Sequence, residues 1–538
     1  MRCPDTVRRV LPFLILAPLA RPQGLISQYE GGIVDSNLGM AFSSAGDMDG
    51  DGREDYALVA LGSGGLGRVS VYSGATRQRI YVFQGLSTNE SLGRALAPIG
   101  DLNADGHDEL LLGSPDQARV TVVQGSNGDT LWSKSNLPAS GSGLGWSVAR
   151  LGDVNADGVT DVAVSAPASS PGYVLYLSGV DGAVLRTITG AHANEYLGKL
   201  IVGGADFDGD GVGDVAALGH AYGSLPEHVR LFSGATGAVI QTVLAPAPSI
   251  GFGTTLGVVP DLDGDLRPDV AVGSYLDGAG GSKSGSVRIY SSQSGAELRA
   301  FVGNPGESLG SGFDTLADVD GDGLRDLLVA GSGSLAVPGH VRVLSSASGA
   351  ELLRFHATGN AWPGRVAGLG DIDLDGHPDF LMANHPQSRV YLVTTGLAPG
   401  GAYCVAKVSS NGCLPSISGS GTPAASGPDD FHLTCSQTTN LRSGFAFWGR
   451  VQSGAIFLGG TLCVASPTLR TPVQFSGGSS GGQDCTGSFD FHFTNAFALQ
   501  NGVQPGELLN AQYWMRDPGY IPPNNVGLSN AWSWIYGL

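Results

Sequence analysis

An acidic nonapeptide occurs seven times along the 538 residues: DMDGDGRED, DLNADGHDE, DVNADGVTD, DFDGDGVGD, DLDGDLRPD, DVDGDGLRD and DIDLDGHPD. Positions 1, 3, 5 and 9 are the oxygen-bearing ones. They are Asp47, Asp49, Asp51 and Asp55 in the first copy and Asp101, Asn103, Asp105 and Glu109 in the second. The third holds Asp153, Asn155, Asp157 and Asp161, and the fourth Asp206, Asp208, Asp210 and Asp214. The fifth holds Asp261, Asp263, Asp265 and Asp269, the sixth Asp318, Asp320, Asp322 and Asp326, and the seventh Asp371, Asp373, Asp375 and Asp379. Of these 28 positions 26 are acids, over half of the 48 acids in the chain, so their mutual repulsion calls for a counter-cation. Four side-chain oxygens around a glycine-permitted turn, completed by the position-7 carbonyl and water, are what a hard cation with six to eight oxygen ligands needs. The spacing therefore predicts Ca2+, up to seven ions. An EF-hand shares the opening but needs a bidentate Glu at position 12. Here that position is Leu58, Leu112, Val164, Ala217, Val272, Val329 or Met382. The fifth copy departs from the pattern with Leu266 at the glycine position.

These loops need a scaffold that presents the same turn seven times. Successive copies start 54, 52, 53, 55, 57 and 53 residues apart, and a glycine stands eight residues upstream of six of them, from Gly39 to Gly310. At the seventh that place is Pro363, with Gly364 beside it. After each nonapeptide comes an apolar run such as VAVSAP, then a third run ending in a Ser/Gly turn such as VRLFSGATG, then a fourth such as AVIQTVL. Short β-branched runs between glycine-rich turns are strands. Four strands per repeat of this length describe propeller blades, and the doubly apolar second run suits a strand covered on both faces. The seventh repeat stops after its third strand, whereas a fourth-strand-like segment, QGLISQYEG, precedes the first repeat. The N-terminal strand is thus expected to complete the last blade, leaving no open edge. The fold class is all-β: a seven-bladed propeller of four-stranded antiparallel blades over 23–398, followed by a small β-sandwich-like domain over 402–538.

The pattern G-x7-D-x-[DN]-x-D-G-x2-[DE] followed by an apolar strand resembles the FG-GAP repeat of the integrin α-subunit propeller. That resemblance implies seven blades, calcium in blade hairpins, and a role in adhesion or recognition. No RGD and no integrin-type inserted domain accompany it, so partner identity does not carry over.

Composition narrows the function classes. With 85 glycines and only 14% charged residues the chain is turn-rich, and 42% hydrophobic residues are too many for disorder. A net charge of −19 repels nucleic acid and anionic lipid. Arg2, Arg8 and Arg9 precede the apolar run VLPFLILAPL and the small Ala20, the pattern of an export signal over 1–20. The expected location is extracellular or at the cell surface. The run is too short for a transmembrane span. Cys404, Cys413, Cys435, Cys463 and Cys485 all lie beyond residue 400. Disulfides are expected there, one thiol is left over, and the connectivity is open. The same segment holds the aromatic runs FAFWG, FDFHF, QYWMRDP and NAWSWIY. FDFHF alternates as a half-buried strand does, and the tryptophans are read first as core and second as sugar platforms. This segment loosely resembles a C-terminal module of secreted bacterial repeat proteins.

In an antiparallel blade the turns after strands 1 and 3 share one face of the ring, so the metal hairpins occupy one side. Tyr222, His192, Tyr196, Tyr275, Asp277 and Lys283 lie in the variable loops of the other side and are the first candidates for ligand contact. No catalytic motif emerges. H-E-x-x-H is absent, and GGSSG at 477–481 fits a nucleophile elbow only in letters, lying in Gly/Ser low complexity. The leading expectation is a non-enzymatic adhesion or recognition module: a monomeric secreted or surface calcium-binding propeller that binds a protein or polysaccharide ligand. The alternatives are a polysaccharide-active enzyme on a propeller scaffold and a structural envelope protein.

Overall fold

A computed structural model describes residues 25–536 except 33–34, 63, 138–142, 169, 221–225, 247–250, 335–338, 357–362, 385–387, 396–400, 405, 426–427, 451, 465–467 and 504–506. The export segment at 1–20 and Tyr222 lie outside the described residues. The chain divides into two compact units, one spanning Pro22–Leu397 and the other built on Ala398–Leu538.

The first unit contains seven four-stranded antiparallel sheets. Each nonapeptide joins the first two strands of a blade, and its ninth residue opens the second, as in Asp55–Ala60 and Asp326–Gly331. All seven second strands are buried at every position. Fourth strands such as Arg79–Gln84 and Glu297–Val302 alternate toward solvent. The first strands contact one another in sequence, from Leu38–Gly46 round to Pro363–Gly368, which meets Leu38–Gly46 again. They form the inner ring. Burial follows the same circle: each of seven apolar clusters combines side chains of two consecutive blades, and one of them joins the seventh blade to the first. Stability is therefore distributed over seven equivalent joints, the arithmetic of a closed repeat.

Closure takes the expected route. Leu25–Glu30 pairs antiparallel with Arg389–Thr394, so the seventh sheet has the order N-terminal strand, third, second, first. Glu30 and Arg389 add an ion pair at 3.0 Å. Tyr29 packs on Tyr72 of the first blade with ring centroids 4.7 Å apart and shares a hydroxyl hydrogen bond with Tyr56, so the closing strand also bridges to its neighbour.

The repeat glycine is explained by its backbone. Gly39, Gly93, Gly145, Gly198, Gly253 and Gly310 all have φ between +77° and +92°. A Cβ on Gly145 would lie 2.6 Å from the Arg119 carbonyl, and one on Gly310 2.4 Å from that of Ser286, so both conformation and space demand glycine.

In the second unit a six-stranded sheet includes Ser443–Gly449, Leu508–Arg516 and Val526–Ile535, and a three-stranded sheet pairs Ser416–Ser420, His432–Thr438 and Gly487–His492. One apolar cluster takes side chains from both, including Leu433, Phe489, Trp448, Tyr513 and Trp534. Gly487–His492 carries FDFH with Phe489 buried and Asp490 exposed, the alternation read from sequence. Disulfides join Cys404 to Cys463 and Cys413 to Cys485, and the remaining thiol, Cys435, is free and buried.

Candidate metal centres and the face opposite them

The seven hairpins share one hydrogen-bond scheme. The position-1 carboxylate receives the N–H groups of positions 5 and 6: Asp47 takes Asp51 at 3.0 Å and Gly52 at 2.8 Å, and Asp371 takes Asp375 at 3.0 Å and Gly376 at 2.8 Å. In the departing fifth hairpin Asp261 still receives Asp265 at 3.3 Å and Leu266 at 2.7 Å. Leu266 holds the turn at φ +67°, where its counterparts are glycines near +90°, and it is 92% exposed. One oxygen of position 3 accepts the position-5 N–H, and one of position 5 the position-7 N–H, as at Asn155 and Asp157 (both 2.9 Å). Backbone donors thus aim these side chains at the inside of the turn.

Position 9 behaves differently. Asp55, Glu109, Asp161, Asp214, Asp269, Asp326 and Asp379 are each 0% exposed. One oxygen accepts the position-2 N–H in every hairpin, for example Met48 to Asp55 at 2.9 Å and Val319 to Asp326 at 2.8 Å. In five blades the other accepts an N–H from the turn after the third strand: Gly74 to Asp55, Gly179 to Asp161, Gly234 to Asp214, Ser292 to Asp269 and Ser346 to Asp326. The ninth acid is therefore a clasp between the two turns of that face as well as a candidate ligand. Sequence reasoning did not anticipate this, because the donors are backbone N–H groups that residues of different type supply, Gly74 in one blade and Ser292 in another. Burial pushes Asp55, Glu109 and Asp379 up to about 7, and Asp214 and Asp269 up to about 6. Neighbouring carboxylates raise them further, for instance Asp49 at Asp55.

Several hairpins draw their acids onto one point. Carboxylate oxygens lie within 4.8 Å of one another in the sets Asp47/Asp49/Asp55, Asp101/Asp105/Glu109, Asp206/Asp208/Asp210, Asp261/Asp263/Asp265 and Asp318/Asp320/Asp326. In the fifth hairpin Asp265 Oδ2 is buried without a hydrogen-bond partner. All-oxygen sets with an unsatisfied buried carboxylate oxygen fit a hard divalent cation.

The other face carries a second repeated device. Glu90, Glu195 and Glu307, each three residues before a repeat glycine, are buried and take backbone N–H groups from their own loops, as His192 to Glu195 at 3.0 Å. Each is ion-paired with an arginine of the third strand in its blade: Arg119, Arg230 and Arg342. His228 and His340 reach the same Glu195 and Glu307 carboxylates at 3.1 and 2.5 Å. Asp277, a candidate ligand contact, is instead buried, bonded to Ser286 at 2.6 Å and paired with Arg288 at 3.0 Å. Of the other candidates Lys283 and His192 are exposed, and Tyr275 and Tyr196 half-buried.

Comparison with known proteins agrees with this architecture. Residues 101–164 match the family model described as an FG-GAP-like repeat. Integrin alpha-5 of Xenopus laevis is 29% identical over 34% of this chain and 20% of its own length. Integrin alpha-PS2 of Drosophila melanogaster is 30% identical over 34% and 15%, and Integrin alpha-V of Gallus gallus 31% over 25% and 14%. The chain thus spans a fifth or less of the length of these relatives. Its first unit is a seven-bladed propeller that matches an FG-GAP-like repeat over residues 101–164 and resembles integrin α subunits over about a third of the chain. Among the described residues no helix is long and apolar enough to cross a membrane.

Proposed function

We propose that the chain is an exported calcium-binding recognition protein, its propeller stiffened by ions in the blade hairpins and its opposite face presented to an extracellular protein or polysaccharide. The converging carboxylates of the hairpins carry this reading, supported by the similarity to integrin α subunits. The residues that would hold calcium are the 28 at positions 1, 3, 5 and 9. When bound, the ion would supply positive charge that lets clustered carboxylates stay ionised. This chain's own part is to aim them, through the position-1 and position-9 hydrogen bonds, and to tie the metal turn to the strand 3–4 turn. The reading is recognition rather than turnover.

Calorimetric titration of the metal-free chain with Ca2+, read beside thermal unfolding with and without EGTA, tests the metal. Saturable heat and a raised Tm are expected, and unchanged melting in EGTA overturns the reading. Capture of labelled chain on arrays of extracellular proteins and glycans tests recognition, which fails if neither array retains it.

A further inference from the structure

The second unit has an open cleft of about 420 Å3, within the range of roughly 300–1,000 Å3 that small-molecule sites occupy. Three segments build it. The hairpin of Gln452–Phe457 and Gly460–Val464 supplies Gly459, Gly460 and Thr461, with Leu458 and Gly459 holding the turn at φ +48° and +75°. Lys407 comes from a segment in which its own N–H donates to the Leu528 carbonyl at 2.8 Å, and Tyr520 and Asn524 come from the loop before Val526–Ile535. The absence of a side chain at Gly459 keeps the cleft open. A Cβ there would lie 3.3 Å from the Asn524 carboxamide carbon and 3.4 Å from Lys407 Nζ, filling the space that both polar groups border.

The groups around this space are unevenly satisfied. Lys407 Nζ donates to the Leu458 and Asn524 carbonyls, each at 2.7 Å, and sits over the Tyr520 ring at 4.9 Å from its centroid. An ammonium has three N–H groups, so one remains. Among the described residues no carboxylate is ion-paired with it. The acid whose charge reaches it, Asp517, is buried and receives the Ser410 N–H at 2.7 Å and the Ser410 hydroxyl. Burial holds the Lys407 pKa below its usual value, and Asp517 does not restore it. Asn524 and Thr461 accept hydrogen bonds only at their backbone carbonyls, from Lys407 and from Gln512 at 2.9 Å, so among the described residues the carboxamide and the hydroxyl are unengaged.

We propose that this cleft binds an acidic sugar unit, a uronic or sialic acid residue of a glycan, with Lys407 on its carboxylate, Asn524 and Thr461 on its hydroxyls, and Tyr520 against a C–H face. A carboxamide and a hydroxyl each donate and accept, as sugar hydroxyls do. Tyr520 is 36% exposed and offers ring surface beside them. An added peptide strand would need unpaired backbone, and the Lys407 N–H is already given to Leu528. A phosphate carries up to two charges and three strong acceptors, more than one ammonium N–H matches. The site lies wholly in the second unit and rests on no property of the propeller.

Isothermal titration calorimetry of the full chain in Ca2+ tests it with N-acetylneuraminic acid and methyl glucuronide, each beside its carboxyl methyl ester, and with inorganic phosphate and an Asp/Glu-rich peptide. Saturable binding of at least one acid is expected, with its ester weaker by roughly tenfold or more, since a charge-assisted hydrogen bond is lost. Lys407→Gln should remove the difference between acid and ester, whereas Asn524→Ala and Tyr520→Ala should weaken both forms and Lys283→Gln on a propeller loop neither. Hairpin calcium could also hold a carboxylate, and Lys407→Gln, which leaves the hairpins intact, separates that route: acid binding undiminished in this variant overturns the site. Should Lys407→Gln not fold, the comparison of acid with ester on the unaltered chain and the Asn524→Ala titration decide the matter. Failure of both acids to bind, or equal affinity for acid and ester, overturns the proposal, and tighter binding of phosphate or of the peptide overturns the sugar assignment.

Discussion

The propeller and the C-terminal unit keep β-sheets together by opposite means. No cysteine lies between Cys3 and Cys404, and the propeller relies on seven repeated joints and on seven buried ninth-position acids, five of which clasp the two turns of their blade. The C-terminal unit has one shared aromatic cluster and two disulfides. One region gathers negative charge and needs something to neutralise it, while the other, with five bases against six acids, is nearly balanced. The difference teaches that the two should answer to different reagents.

Chelation should break the comparison most visibly. In EGTA, scanning calorimetry is expected to show the propeller transition falling by 10 °C or more, since each ion held at a hundredfold excess over its Kd contributes about 2.7 kcal/mol. The C-terminal transition should stay in place; movement of both, or of neither, would erase the contrast. Reduction should do the reverse. Cys404→Ala/Cys463→Ala and Cys413→Ala/Cys485→Ala are each expected to destabilise the C-terminal unit by about 2–5 kcal/mol and leave the propeller melting unchanged.

A finer probe is Asp314, on an inner strand and away from the hairpin acids. It accepts the N–H of Thr315 at 2.8 Å and that of Gly368 in the next blade at 3.0 Å, and burial pushes it up to about 6. A raised carboxyl means the folded state binds the proton more tightly than the unfolded one. Its contribution is therefore fully present below pH about 3.8 and is lost as pH rises through about 6. Urea unfolding of Asp314→Asn against the parent should show that slope removed, an effect on the order of 1–3 kcal/mol across the window. A parallel pH profile for both proteins would refute the assignment. The smallest effect belongs to Leu266→Gly, which relieves a left-handed leucine in the fifth hairpin. It should stabilise the propeller by roughly 0.5–1 kcal/mol, read as a raised urea midpoint, and destabilisation would show that the turn is not strained.

Much of this was legible in the sequence because the period exposes it. Seven nonapeptides at near-constant spacing gave the blades, and the strand missing from the last repeat located its replacement at Leu25–Glu30. The ninth acid's second role was hidden because its partner N–H groups, such as Gly74 and Gly234, come from turns about 20 residues away and carry no side-chain signature. Asp277 was misjudged for a related reason: a loop acid looks free until the third-strand arginine beside it, Arg288, is seen. Cysteine pairing was open for want of distances. Trp448 and Trp534 are core, 0% and 1% exposed, as the bulk of the ring led one to expect.

Because Leu25 finds its partner only in Val393, synthesis and completion are out of step. The segment made first must stay available while every blade is translated, and a product truncated before Arg389 offers two unsatisfied strand edges at once. Such a molecule would be prone to pair with a sister chain, so fidelity of translation to the last blade is itself a safeguard against aggregation.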